Sequence, residues 1–204
     1  MFSRRLRAEW ATAAGTLLAI EPSPAQVRAR AAELAAAYND SHNRAMMANT
    51  IEFTDRDVVS HYEAMAAEGA RQFFLYAGGG DAAFAGDADF RKIADGRGEF
   101  AILIAERGAQ GKGLGTRFAI LLHALAFRAF GLDRVYVTIL PQNAASRRLF
   151  TKLGYVVDTS PEARACVDNE LDVSMSLAKG EFELAHAGAI AGVVVTPAGE
   201  PADE

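Results

Sequence analysis

Hydrophobic positions along this chain switch between the two-residue period of a strand and the three-to-four-residue period of a helix. The switches fall at residues that start or stop such elements. Gly15 to Glu21 reads as a short strand, and Ser23-Pro24 follows as an N-cap with proline at the first helical position. Val27, Ala31, Leu34 and Tyr38 then line one helical face. A second helix is expected from Thr54, with Asp57 in its first turn and Val58, Tyr62 and Met65 on one side. Gln72 to Ala77 and Ala82 to Phe90 flank Gly78-Gly79-Gly80-Asp81, the pattern of a hairpin. After a turn at Asp95 to Gly98, a further strand runs from Glu99 to about Ala105. Phe118, Leu121, Leu122 and Leu125 form the stripe of a helix that ends near Gly131. Arg134 to Leu140 is a strand, Asn143 to Leu153 a short helix stopped by Gly154, and Tyr155 to Asp158 the start of another strand. In "ELDVSMSL", Leu171, Val173, Met175 and Leu177 alternate with polar residues, as in a half-buried last strand.

The resulting order, β-α-α-β-β-β-α-β-α-β-β, suits an α/β chain with one core, and 204 residues at 50% hydrophobic are too few for two comfortable ones. Residues 11–178 are expected to form that domain. Residues 179–204 are expected to extend it, with a Pro- and Gly-containing tail that reads as partly disordered after about Thr196. The formal net charge of -5 argues against a nucleic-acid backbone as the main partner. Cys166 is the single cysteine, so there is no internal disulfide, which fits a reducing compartment. His42, His61, His123 and His186 are scattered without ligand spacing, and no metal is expected. "MFSRRLRAEWATAAGTLLAI" imitates a secretory leader, but Glu9 and its alanine-rich character weaken the match. No run reaches the ~18 apolar residues of a membrane span, so a cytoplasmic location without membrane contact is expected.

The chemistry-bearing stretch is "ILIAERGAQGKGLGTRF", in which a strand passes through glycines into a helix. A P-loop requires a lysine and a hydroxyl after the last glycine, but here Lys112 lies between glycines. A dinucleotide fingerprint requires G-x-G-x-x-G and an acidic residue closing the next strand, whereas Gly111, Gly113 and Gly115 are spaced G-x-G-x-G and that strand ends at Ile139-Leu140. What remains is Gln110-Gly111-Lys112-Gly113-Leu114-Gly115, or Q-x-x-G-x-G.

That pattern resembles the acyl-coenzyme A pyrophosphate loop of the GNAT N-acetyltransferases, and "PQNAASRRLFTKLGY" resembles the family's second signature at the correct separation. The resemblance is densest from Glu99 to Tyr155 and elsewhere rests on element order. It implies a GNAT fold: a central mixed, mostly antiparallel sheet flanked by helices, in which the strand at Glu99 parts from the strand at Arg134. It implies acetyl-coenzyme A as co-substrate, with Gln110, Gly111, Lys112, Gly113, Leu114, Gly115 and Thr116 forming the pyrophosphate cradle. Unpaired amides and the dipole at a helix N-terminus give that cradle its physical basis. By the same resemblance, backbone groups at about Leu103, Ile104 and Ala105 bind the thioester arm. Asn143 contacts that arm, a role that competes with an ordinary N-cap. Glu99 corresponds to a glutamate that takes a proton from the amine, an alternative to a plain exposed strand-end residue. Where many relatives carry a tyrosine that protonates the departing thiolate, this chain has Phe150. Ser146, four residues earlier and on the same helical side, is a substitute within the coenzyme site, as is water.

The implied activity is direct acetyl transfer to a primary amine, either a small molecule or a protein N-terminus, in a ternary complex. A non-catalytic acyl-coenzyme A sensor or scaffold and a nucleotide-binding α/β domain are the competing classes. In this fold the acceptor is set largely by Asn39 to Gly69 and Ser160 to Glu170. In the first segment Asp40, Glu52, Asp55, Asp57, Glu63 and Glu68 outnumber Arg44 and Arg56, which leans toward a cationic acceptor. A homodimer is compatible with this reading.

Overall fold

The computed structural model describes residues 4–47, 51–78, 82–167 and 171–199. Its centre is a sheet of nine strands: β1 (Leu6–Thr12), β2 (Gly15–Ile20), β3 (Arg71–Gly78), β4 (Ala83–Ala94), β5 (Arg97–Ile104), β6 (Arg134–Ile139), β7 (Val156–Val157), β8 (Val173–Ala178) and β9 (Val193–Pro197). The helices are α1 (Pro24–Asn39), α2 (Ser41–Met47), α3 (Asp55–Ala67), α4 (Leu114–Ala129), α5 (Ala144–Leu153), α6 (Pro161–Arg164) and α7 (Lys179–Ile190). Strand order across the sheet is β7-β8-β6-β5-β4-β3-β2-β1-β9. Neighbours run antiparallel except β5 and β6, so the mixed, mostly antiparallel sheet expected of the fold is present. The turn of the β3–β4 hairpin, residues 79–81, and residues 168–170 of the expected acceptor loop lie outside the described residues.

Both faces of the sheet are covered, and the strand period decides which helix each residue meets. In β3, Phe73 and Leu75 join a core with α4, α5 and α7, while Phe74 between them packs with α1 and α3. The N-terminal caps expected at Ser23 and Thr54 are complete capping boxes, with Gln26 and Asp57 reaching back to the cap residues. Helix α4 is buried at every position from Phe118 to Phe127 rather than along one stripe. A helix apolar all round belongs in a core, and α4 is sandwiched between the sheet, α5 and α7.

Besides the short helices α2 and α6, two segments extend the expected order at its ends. The arginine-led stretch folds as β1, which forms a hairpin with β2. Residues 179–197 are not a loose extension: α7 sends fully buried Phe182 against Phe127, with ring centroids 5.3 Å apart, and β9 pairs with β1 along the sheet edge. Arg128 holds this arrangement by donating to the carbonyls of Ile190 at 2.7 Å and Val193 at 3.0 Å. A guanidinium at a helix C-terminus satisfies carbonyls that have no helical partner. Residues 200–204 of the tail lie outside the described residues. Among the described residues no helix is long and apolar enough to cross a membrane.

Candidate active site

Strands β5 and β6 pair at only three positions, Arg97 with Arg134, Gly98 with Val135 and Glu99 with Tyr136, although β5 continues to Ile104 and β6 to Ile139. Past Glu99 the two diverge, and a wedge opens in the middle of the sheet. Hydrogen-bond alternation shows which backbone groups line it. The Gly96 carbonyl accepts from the amides of Asp133 (2.6 Å) and Arg134 (3.2 Å), so even-numbered residues of β5 face β6. The Ala105 amide donates to Ala85 at 2.9 Å, so odd-numbered residues face β4. Ile102 and Ile104 therefore turn their amides and carbonyls into the wedge, whereas those of Leu103 point to β4. Ala105 likewise faces away, and its carbonyl accepts from Asn43 at 3.3 Å.

The glycine loop sits at the open end of β5. A single 3-10 turn, Arg107–Ala109, leads to Gln110, and Gly113 in the left-handed region (φ 79°) is the N-cap of α4. Gly111 is also left-handed (φ 73°), and a side chain at either position would meet nothing within 4 Å. Open space therefore faces the amides of Leu114, Gly115 and Thr116, which lie in the first turn of α4 and so have no helical acceptor. Gly115 is different: a Cβ there would come within 2.9 Å of Leu149, so this glycine sets the approach of α4 to α5. Lys112 is exposed. Gln110 turns inward, donating to the Ile104 carbonyl (2.8 Å) and to Asn43 Oδ1 (2.9 Å), and thereby anchors the loop.

On the opposite lip, Asn143 accepts from the Ser146 amide at 2.9 Å, so it is the N-cap of α5. Its Nδ2 donates to the Met46 carbonyl at 3.1 Å. Helix α2 is thus tied to one lip through buried Asn43 and to the other through Met46. Ser146 is half-buried, while Phe150 is only 4% exposed, its ring 5.1 Å from Tyr155 and 6.2 Å from Phe100. Phe150 thus belongs to the packed wall behind the lip. Asn143→Ala should cost about 1 kcal/mol of stability, the usual value of a lost N-cap. Urea unfolding measures it.

Glu99 lies where pairing with β6 stops and is not an exposed strand end: it is 2% exposed. A register shift between Arg91 and Ala94, with Lys92 at φ 52°, turns two consecutive cations toward the same carboxylate. Glu99 Oε2 lies 3.1 Å from Lys92 Nζ and 3.3 Å from Arg91 Nε.

The face of the sheet under α1 and α3 carries two further carboxylates that belong to no motif. Asp87 accepts hydrogen bonds from Tyr38 and, at 2.9 Å, from Tyr62. Burial nevertheless holds its carboxyl above the usual range. Asp89 is pushed up to about 7, chiefly by burial, with Asp87 and Glu99 adding to the shift and Arg91 opposing it. The alternation in "FAGDADFR" is the signal that marks them, since Asp87, Asp89 and Arg91 share one face and Ala88 and Phe90 the other. By contrast, much of the acidic surplus in 39–69 serves the backbone or an ion pair. Asp40 caps α2, Asp57 caps α3, and Glu52 pairs with Arg44 at 3.2 Å.

This geometry agrees with the comparisons. The model of the GNAT acetyltransferase domain matches residues 14–156, more than half of the chain, and the chain belongs to that family of acyltransferases. Among solved structures, Mycobacterium smegmatis RimJ in complex with CoA-disulfide superposes with a TM-score of 0.68 at 16% identity, covering 92% of this chain and 95% of that one. Spermidine N-acetyltransferase from Vibrio cholerae, in complex with CoA and spermine, gives 0.65 at 15% identity over 81% of this chain and 97% of that one. The aminoglycoside acetyltransferase AAC(6')-Ib, in complex with coenzyme A, gives 0.63 at 20% identity over 77% and 94%. No curated protein sequence matched the chain.

Proposed function

We propose that this chain transfers an acetyl group from acetyl-coenzyme A to a primary amine, by direct attack within a ternary complex. The wedge between β5 and β6 carries the proposal. It presents the backbone of Ile102 and the amide of Ile104 to an extended thioester arm, with the unpaired amides of Leu114, Gly115 and Thr116 at its open end for the pyrophosphate. Lys112 adds charge at the rim. An amide on β5 facing the wedge supplies a donor to the oxyanion as the carbonyl becomes tetrahedral, where developing charge rewards it most. Asn143 and Ser146 are the polar groups of the second lip, and Ser146 or solvent returns a proton to sulfur. A thiol near pKa ~8.5 is a good enough leaving group to need little help.

The acceptor class rests on the carboxylates beneath α1 and α3, which favour a cation. A small-molecule amine and a peptide N-terminus both fit. The absence of a hydroxyl on Phe150 favours a second reading, a coenzyme-binding sensor without turnover. Acetyl-coenzyme A should raise the melting temperature, by the equivalent of about 2.7 kcal/mol at one hundred times its dissociation constant, while NAD and ATP do little. Thiol release should then follow with some amine in a panel of polyamines, aminoglycosides and N-terminal peptides. Equal stabilisation by all three ligands sinks the coenzyme assignment. Stabilisation without thiol release across the panel supports the sensor.

A further inference from the structure

Three carboxylates share the sheet face toward α1 and α3, and the structure gives each a different task. Asp87, opposite Leu103, is engaged by two tyrosine hydroxyls. Glu99, opposite Arg91, is locked between Arg91 and Lys92 where β5 is still paired with β6. Asp89 lies between them, opposite Ala101, the first residue past the split whose side chain points to this face. Its Oδ1 is buried and has no hydrogen-bond donor among the described residues, and Arg91 Nε stands 3.7 Å away. The side chain as a whole is 19% exposed. Ala101 carries only a methyl group, smaller than the side chains of Glu99 and Leu103 that flank it on this face.

We infer that Asp89, rather than Glu99, takes the proton from the acceptor amine; this rests on the acetyltransferase reading above. The ammonium N–H proton passes to the Asp89 carboxylate, and the freed nitrogen lone pair forms the C–N bond while the carbonyl pair moves to oxygen. Collapse breaks the C–S bond. The second N–H proton reaches the thiolate by way of Ser146 or solvent, giving amide and free thiol, and Asp89 returns its proton to solvent. Glu99 acts as a positioning residue that fixes Arg91 and Lys92. The groups around Asp89 are Arg91 and Asp87 on β4, Glu99 on β5, Gln72 opposite it on β3 and Tyr38 on α1; from α3, Tyr62 donates to Asp87 and His61 lies within the influence of Arg91. Burial chiefly, with Asp87 and Glu99 adding and Arg91 opposing, holds it near 7, which leaves it about half ionised at neutral pH and matched to proton transfer there.

The test uses the full chain, acetyl-coenzyme A and the best amine from the panel. Wild-type kcat/KM should rise through an acidic limb centred near pH 7. Asp89→Asn should keep the coenzyme-induced thermal shift, lose about 100-fold or more in kcat/KM, and lose that limb. Glu99→Gln should stay active and move the limb to lower pH, because the charge it removes no longer opposes ionisation of Asp89. Ala101→Leu, which adds bulk directly opposite Asp89, should raise KM for the amine with the coenzyme shift unchanged. Asp89→Asn retaining near-wild-type turnover with its limb in place, or Glu99→Gln abolishing turnover with coenzyme binding intact, overturns the inference while leaving the acetyltransferase reading standing. Failure of wild type to release thiol with any amine overturns both.

Discussion

Gly113→Val should abolish the thermal shift given by acetyl-coenzyme A and leave a folded protein. Gly113 is the N-cap of α4 in the left-handed region, a conformation costing a residue with a Cβ roughly 1–2 kcal/mol and a β-branched one more. No neighbouring atom lies within 4 Å of an added Cβ, so the chain is not forced apart; the cost falls on the loop conformation that aims the amides of Leu114, Gly115 and Thr116. The branched side chain also fills the open space in front of them. Gly115→Val acts otherwise. It drives Leu149 away and loosens α4 from α5, so it should lower the melting temperature of the free protein as well. Differential scanning fluorimetry with and without ligand separates the two behaviours. A normal acetyl-coenzyme A shift in Gly113→Val would remove the loop from the binding site.

Acidification should destabilise the fold by about 1.4 kcal/mol per pH unit through one buried imidazole. His123 is fully buried in α4, with Nδ1 at 2.7 Å from the Ala119 carbonyl and Nε2 at 2.5 Å from the Tyr155 hydroxyl. A carbonyl can only accept, so Nδ1 carries the proton and Nε2 accepts from Tyr155. That neutral tautomer satisfies every polar atom of the pair. Burial pushes the imidazole down to about 3, against about 6.5 in an unfolded chain. Between those values the unfolded state binds the extra proton, so stability falls as pH drops from 6.5 toward 3, and above 6.5 the residue has no effect. Asp87 and Asp89, held above the usual range, contribute with the opposite sign, so the comparison must be made against a variant. Replacing both partners, as His123→Leu with Tyr155→Phe, leaves no orphaned polar group. Urea unfolding at pH 7 and pH 5 should show wild type losing about 2 kcal/mol more than this variant. Equal losses would show that the imidazole titrates normally.

The elements that were legible in the sequence are those where local chemistry and burial agree. Ser23-Pro24, Thr54 with Asp57, and Gly154 after "TKL" mark helix ends that the structure reproduces within a residue or two. The wedge was legible only through the family resemblance that the Gln110 to Gly115 pattern and the Asn143 signature carry. What stayed hidden depends on distant partners. "LRAEWAT" is a strand because β2 and β9 flank it, and "VVVTP" is one because β1 offers an edge; neither carries a turn signal of its own. Helix α2 is short and polar, and contacts of Asn43 and Met46 with both lips hold it in place. Gln110 and Phe150 were legible as motif positions, yet one points inward and the other packs in a wall. A motif fixes the place of a residue in the chain, and packing decides where its side chain goes. Asp89 draws its character from Arg91, Asp87, Glu99 and burial together, which no sequence window contains.

The pairing of β9 with β1 also has a practical consequence for handling the molecule. Leu6 stands opposite Pro197, so the first and last strands begin and end at one margin of the sheet. That margin is separated from β5 by the full width of β1, β2, β3 and β4, roughly 24 Å at ~4.8 Å per strand spacing. A surface tether, a fluorophore or a fused carrier attached there would stand clear of the cleft. The same adjacency makes the chain a natural subject for circular permutation, since a short bridge from Pro197 to Leu6 would join the ends without crossing either helical layer.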